Sequence, residues 1–188
     1  MTSLAQTLPA AQFAQGSLAR RVAAIIAGSL FLAAMAQITV PMFPVPMTMQ
    51  TFAVLLIGAF CGWRLAGETL LAYIAEAAVG LPVLAGGAAG LAKLVGPTGG
   101  YILGFLLAAA VVGWLAERGW HRTLLGLAAS MLIGAVLVYL PGVPWLAAFI
   151  GMEKTIAYGV MPFLIGDAVK AALAGAAVLA ANRTMLRA

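Results

Sequence analysis

The chain has 188 residues, of which 64% are hydrophobic and only 8% are charged, and its mean hydropathy is +1.10. A soluble domain carries about 25% charged residues, because its surface faces water. So few charges exclude an ordinary soluble domain and favour an integral membrane protein. The net charge of +5 does not indicate nucleic-acid binding, because the basic residues lie at the ends of apolar segments, as in membrane proteins.

Apolar length and its interruptions predict six transmembrane helices, since about 20 apolar residues cross a bilayer. They are Val22–Val40, Met49–Trp63, Leu65–Val79, Gly100–Ala116, Thr123–Leu140 and Pro162–Asn182. The predicted fold class is an all-α membrane bundle, with a cytoplasmic tail over residues 1–20 and one substrate-binding membrane domain over residues 21–188. Arg20 and Arg21 before an apolar run also suit a secretory signal. A retained first helix is favoured, because the run continues to Val40 and five more apolar segments follow.

The arginines predict the orientation of this bundle. With six spans, both termini lie on the same side as the second and fourth connections. That side then holds all seven arginines: Arg20, Arg21, Arg64, Arg118, Arg122, Arg183 and Arg187. Because cytoplasmic segments collect basic residues, we expect both termini in the cytoplasm and Lys93 and Lys154 in outer loops.

The predicted outer loops are long, apolar and rich in glycine and proline. Residues 41–46 hold three prolines, residues 80–100 contain several glycines and one charge, and the residues from Pro141 to Met161 form a third loop with few charges. Irregular backbone at membrane depth is tolerated where it is buried in protein or lines a cavity. The sequence therefore predicts a ligand pocket at the outer face.

Asp167 and Lys170 are the strongest candidates for ligand contacts. An ionisable residue within a span is costly and marks a functional site by default. Three residues apart, the two side chains share one face of the sixth helix, near its predicted outer end. The alternative is an internal ion pair that neutralises itself and holds helices together.

Weaker candidates lie around this pair. Lys93 can attract an anionic ligand, although lysines in outer loops are often only solvated. Glu76, near the outer end of the third span, is a further candidate for lining the pocket, whereas Glu68 suits an interfacial ion pair with Arg64. Further uncharged candidates are Thr48, Gln50 and Tyr101, the last of which follows the glycines of residues 96–100.

Several chemistries lack their residues. The single histidine, His121, is interpreted as part of a solvated basic loop, so a membrane enzyme built on a Ser–His pair or a His-bound metal is disfavoured. No Gly-x-x-x-x-Gly-Lys-Ser/Thr phosphate loop occurs. We therefore expect a binding or transport subunit without its own ATPase motif, without a metal site and without a cofactor.

Small residues recur along the first predicted helix. Ala19, Ala23 and Ala27 are spaced four apart, as are Ala24 and Gly28. Such spacing lets helix backbones approach closely in lipid. It serves packing within the chain or docking of a partner membrane subunit, and the pattern alone does not choose.

Four segments of the sequence together resemble the BioY family, the biotin-binding S components of energy-coupling-factor (ECF) transporters. They are Val45–Thr51, Gly80–Gly87, Gly96–Tyr101 and Pro162–Lys170, in that order along the chain. The resemblance implies a six-helix protein of the bacterial cytoplasmic membrane that captures biotin near its outer face. It also implies a transmembrane coupling subunit and paired ATP-binding subunits as partners, docked partly through Ala19, Ala23 and Ala27.

Biotin suits these candidate residues. Asp167 offers an acceptor for the ureido N–H groups, and Lys170 or Lys93 offers a cation for the carboxylate. The resemblance adds a ring contact from the loop of residues 80–90, where Gly86 and Gly87 stand. The other hypotheses are an S component for a different vitamin and a small membrane channel or structural protein.

Overall fold

The computed structural model describes residues 17–185, and side chains up to residue 182. Its helices are α1 (Leu18–Gln37), α2 (Gln50–Ala78), α3 (Leu91–Leu94), α4 (Gly99–Glu117), α5 (Leu124–Ile150), α6 (Met152–Thr155) and α7 (Phe163–Met185). Over the described range, five of these (α1, α2, α4, α5 and α7) are long and apolar enough to cross a membrane. The chain is therefore a multi-pass helical membrane protein. The predicted tail lies mostly outside the described residues, and its last three residues begin α1.

Helix α2 contains both the second and the third predicted spans, joined at Gly62. This glycine has φ 70° and ψ 171°, which no helical residue adopts. The side chains of Gln50 and Tyr73 are hydrogen-bonded at 2.9 Å, although 23 residues of straight helix would separate them by roughly 35 Å. The two halves of α2 therefore fold back on each other at Gly62.

The reversal at Gly62 is held by helix α4. Glu117 Oε1 accepts a hydrogen bond at 3.2 Å from the backbone N–H of Trp63, one of the first free donors of the second half-helix. Gly113 of α4 lies directly against the backbone of Gly62 and Trp63, where a Cβ atom has no room. A carboxylate at a helix N-terminus is favourable both as a cap and against the helix dipole.

Helix α4 also packs closely against α5. Gly100 and Gly104 face the backbone carbonyls of Pro141 and Val138, again without room for a Cβ atom. Small residues four apart are the usual device for close helix packing in lipid. The closeness of α4 and α5 positions the aromatic residues described below.

The predicted loop from Pro141 to Met161 is wrong over its first ten residues. Helix α5 continues through Pro141 and Pro144 to Ile150, well beyond the predicted end at Leu140. Each proline removes one helical hydrogen bond, but neighbouring helices in membrane proteins compensate such losses. The rest of the loop is also mostly helical, since it forms α6 and the π-helical turn Ile156–Val160.

The expected ion pair between Glu68 and Arg64 is also wrong. Glu68 pairs with Arg21 of α1 rather than with Arg64, through two hydrogen bonds, one of them Nε to Oε2 at 2.8 Å. Arg64 instead lies 5.1 Å from the ring centre of Trp63. The fold-back of α2 explains the difference, because it brings Glu68 beside α1.

His121 is buried rather than solvated, with 5% of its surface exposed. Ser130 Oγ donates to the carbonyl of Leu127 at 2.8 Å, so it accepts from Nε2–H of His121 at 3.0 Å. The other ring nitrogen, Nδ1, is buried and has no partner among the described residues. Burial lowers the pKa of His121 to about 4, because a charged ring is poorly solvated there.

Candidate functional site

One cavity lies where the loops and helix ends opposite the arginine-rich end meet, and we call it the inner cavity. Its volume is about 150 Å³, well above the roughly 10–15 Å³ that holds one water molecule. Its walls come from residues 44–51, 84–88 and 93–105 and from helices α5 and α7. The polar or charged side chains among its lining are Thr48, Gln50, Thr51, Lys93, Thr98, Tyr101, Tyr139, Asp167 and Lys170.

Asp167, Lys170 and Tyr139 form the polar centre of the inner cavity. Lys170 Nζ donates to Asp167 Oδ1 at 2.9 Å, and the Tyr139 hydroxyl donates to Oδ2. Asp167 and Lys170 are only 7% and 5% exposed. Asp167 lies four residues beyond the start of α7, or about 6 Å along its axis. The centre therefore holds both donors and acceptors, while its two charges balance each other.

Lys93 brings a different kind of charge to the inner cavity. It lies on the short helix α3, its side chain is exposed, and no ion pair to it occurs within residues 17–182. Gly90 precedes α3 with φ 90°, a conformation that glycine adopts freely. An anion in the cavity can therefore pair with Lys93 without displacing an existing partner.

Thr48 and Gln50 take part in a hydrogen-bond chain that joins three segments. The Thr48 hydroxyl donates to Gln50 Oε1 at 3.0 Å, and Gln50 Nε2 donates to the Tyr73 hydroxyl at 2.9 Å. Tyr73 in turn donates to the carbonyl of Val83 at 2.8 Å. These hydrogen bonds hold the loop before α2 against the loop after it, so the wall of the cavity is preorganised.

Tyr101 and Tyr139 form an aromatic wall. Their ring centres are 6.2 Å apart with an interplanar angle of 80°, a favourable edge-to-face arrangement. The Tyr101 hydroxyl donates to the carbonyl of Gly159 at 2.8 Å. Phe105 and Phe163 add apolar surface nearby. Apolar walls with a few polar groups are typical of small-molecule sites.

Three predicted residues do not line the inner cavity. Glu76, in the second half of α2, instead contacts α1, where its Oε1 accepts from the Ser29 hydroxyl at 2.8 Å. Gly86 and Gly87 lie in the loop whose neighbouring residues line the cavity, and the Gly87 N–H donates to Gln37 Oε1 at 3.0 Å. Both glycines have positive φ, 67° and 72°, so their role in the structure is to form this turn.

Sequence reasoning missed Tyr139, which touches Asp167 directly. Tyr139 lies at the end of an apolar predicted span and belongs to no polar motif. A tyrosine hydroxyl buried in a membrane bundle usually finds a partner, and that is the one signal that pointed to it. Thr98 and Phe163 were missed for a different reason, since each lies in a segment that was noted for other residues.

The small residues of α1 divide between two faces. Gly28 packs against the side chain of Thr69 in α2, which leaves no room for a Cβ atom. Ala19, Ala23 and Ala27 are exposed. The two patterns therefore lie in different surroundings, one within the bundle and one on its surface. Among the described residues, no group of three or more His, Cys, Asp or Glu side chains is placed to hold a metal ion.

Comparison with known proteins identifies the relatives of this chain. Residues 5–187 match the profile of the BioY family. A probable biotin transporter BioY from Pyrococcus horikoshii is 43% identical over 139 residues, which cover 74% of this chain and 82% of that protein. The biotin transporter BioY of Rhizobium etli is 37% identical over 153 residues, which cover 76% and 82%.

A solved structure has a similar fold. It is the S-component for biotin from an ECF-type ABC transporter, with a TM-score of 0.74 and 25% identity. The match covers 87% of this chain and 92% of the other.

Proposed function

Because this chain belongs to the BioY family, we propose that it captures biotin in the inner cavity and takes it up as the substrate-binding S component of an ECF-type transporter. Relatives named biotin transporters and the fold of a biotin S component support the substrate. The observation on this chain that carries the proposal is the balanced centre of Asp167, Lys170 and Tyr139. It lies in the same cavity as Lys93, a cation that forms no ion pair with any described residue.

The chemistry of biotin fits this division of charge. Its ureido ring is neutral and has both donors and an acceptor, which match Asp167 on one side and Lys170 and Tyr139 on the other. Its carboxylate carries the single negative charge, which Lys93 is free to neutralise. The apolar ring edge and tail would lie along the aromatic wall. Charge balance therefore favours Lys93 over Lys170 as the partner of the carboxylate.

Equilibrium binding tests the substrate. Purified protein should bind biotin saturably at one site, and unlabelled biotin should displace labelled biotin whereas riboflavin or thiamine should not. A protein stabilised by another vitamin and not by biotin would support the second-vitamin hypothesis. Absence of any saturable ligand would favour a channel or structural protein.

We further propose six spans, with both termini in the cytoplasm of a bacterial cell. The fold-back of α2 at Gly62 supports the count, and the one-sided arginines support the orientation. Single cysteines test it after Cys61→Ala removes the native thiol. An impermeant maleimide should label Glu153→Cys in intact cells and label Arg122→Cys only after lysis. The reverse pattern contradicts this orientation.

The proposed partners are a transmembrane coupling subunit and paired ATP-binding subunits. The exposed face of Ala19, Ala23 and Ala27 supports a docking surface on α1. Ala23→Leu should reduce co-purification of the coupling subunit and biotin uptake while leaving biotin binding intact. Ala172→Leu, at an exposed alanine of α7, is the matched control and should change neither.

A further inference from the structure

A second cavity, here called the outer cleft, adjoins the inner cavity. It has a volume of about 550 Å³ and is lined by Phe43, Pro44, Phe149, Ile150, Lys154 and Tyr158. Pro44 also lines the inner cavity. The two spaces therefore share a wall.

That wall is the loop of residues 41–46 between the short strands β1 (Thr39–Val40) and β2 (Met47–Thr48). The strands pair Thr39 with Thr48 and Val40 with Met47, which closes the loop at its base. Phe43 is 90% exposed on the cleft side, whereas Val45 is 5% exposed and packs in the core. Phe43 and Val45, two residues apart in one short loop, thus line the two different spaces.

The lysines and the described arginines of the chain lie in different places relative to the two cavities. The chain has three lysines; Lys93 and Lys170 line the inner cavity and Lys154 lines the outer cleft. None of the described arginines lines either space. Lys154 is exposed and has no ion-pair partner within residues 17–182, even though Glu153 precedes it.

We infer that the outer cleft is an encounter site, where Lys154 binds the carboxylate of the incoming ligand before that ligand passes the loop of residues 41–46. This inference rests on the proposed function, because it takes biotin as the ligand. Phe43, Phe149 and Tyr158 offer apolar and aromatic surface for the body of such a ligand. The cleft thus matches an anion with an apolar part, and Lys93 provides the next cation along the route.

An encounter site alters the association rate more than the final affinity, because the ligand leaves it before the bound state forms. A carboxylate about 7 Å from one ammonium group in water gains enough Coulomb energy for roughly a threefold rise in local concentration. Removal of Lys154 should therefore lower the association rate about threefold, and charge reversal should lower it about tenfold. The dissociation rate should fall by the same factors, because Lys154 does not contact the bound ligand and the equilibrium affinity therefore stays the same.

Stopped-flow binding tests this on protein in nanodiscs of phosphatidylcholine, which carry no net surface charge. The variants are Lys154→Gln and Lys154→Glu, and Arg122→Gln is the control because it removes one positive charge at the other end of the bundle. Biotin and its uncharged methyl ester are the two ligands. The Lys154 variants should slow only biotin, and 1 M salt should remove most of the difference, because the Debye length is then about 3 Å.

Three results overturn the inference. If Lys154→Gln binds biotin as fast as the wild type, Lys154 is a lysine at the membrane surface without a role in ligand entry, although the proposed function stands. If Lys154→Gln slows biotin and its methyl ester equally, the variant acts by distorting the cleft rather than through charge. A wild type that binds neither ligand overturns the proposed function itself, and this inference with it.

Discussion

The buried ion pair of α7 gives the most informative perturbation, Asp167→Asn. Asp167 and Lys170 are 7% and 5% exposed, and the substitution leaves the Lys170 ammonium without its anionic partner. Loss of one partner from a buried pair costs about 3–5 kcal/mol. The free energy of unfolding should fall by about that amount. Joint replacement, Asp167→Leu with Lys170→Met, removes both charges and should restore most of the loss.

Binding separates the two interpretations of this pair. If Asp167 and Lys170 contact biotin, the joint variant is stable but has lost its charge-assisted hydrogen bonds, worth about 1.5–3 kcal/mol each. Loss of one such bond alone should raise its dissociation constant for biotin by about 10–150-fold. If the pair only holds helices together, the joint variant binds biotin normally.

The assay measures unfolding and biotin binding on the same detergent-purified samples. Lys154→Met is the control for stability, because it removes an exposed lysine and should change the unfolding free energy by less than about 0.5 kcal/mol. A loss below about 1 kcal/mol in Asp167→Asn would refute the reasoning from burial. Normal biotin affinity in the joint variant would refute the assignment of the site.

Three further predictions follow from single residues. Burial lowers the pKa of His121 to about 4, below its ordinary value of about 6.5, so the folded protein favours the neutral ring. The stability that this gives is fully present above pH 6.5 and should be lost as the pH falls from 6.5 to 4. Thermal unfolding measures this loss, which should be smaller in His121→Gln. Gly62→Ala should lower the unfolding free energy by about 1–3 kcal/mol because φ is 70° there, whereas Gly67→Ala, in the same helix with open space around it, should stabilise by up to about 1 kcal/mol; equal effects would contradict a reversal at Gly62. Lys93→Gln should weaken binding of biotin but not of its methyl ester in an equilibrium titration, and equal weakening of both would place the carboxylate elsewhere.

The sequence predicted the parts of the site that depend on rare residues. Charges are so costly in lipid that Asp167 and Lys170 indicated a site without any structure, and the structure places both in the inner cavity. Lys93, Thr48, Gln50 and Tyr101 line the same space. Their roles as biotin contacts stay predictions.

The errors share a physical origin, because a sequence pattern contains no information about tertiary contacts. Proline signals a helix end in water, yet Pro141 lies within α5 because surrounding helices compensate the missing hydrogen bond. Arg64 is close to Glu68 in sequence, but the reversal of α2 places Glu68 beside Arg21, with which it forms an ion pair. His121 looked solvated among charged residues, and Ser130 from the following helix covers it.

The central claim is that the inner cavity is where biotin binds. A structure determined with saturating biotin tests it most directly. We expect ligand density within the cavity, with the ureido ring at Asp167 and Tyr139 and the carboxylate beside Lys93. Density at another place, or an empty cavity in a protein that has bound one equivalent of biotin, would contradict the claim.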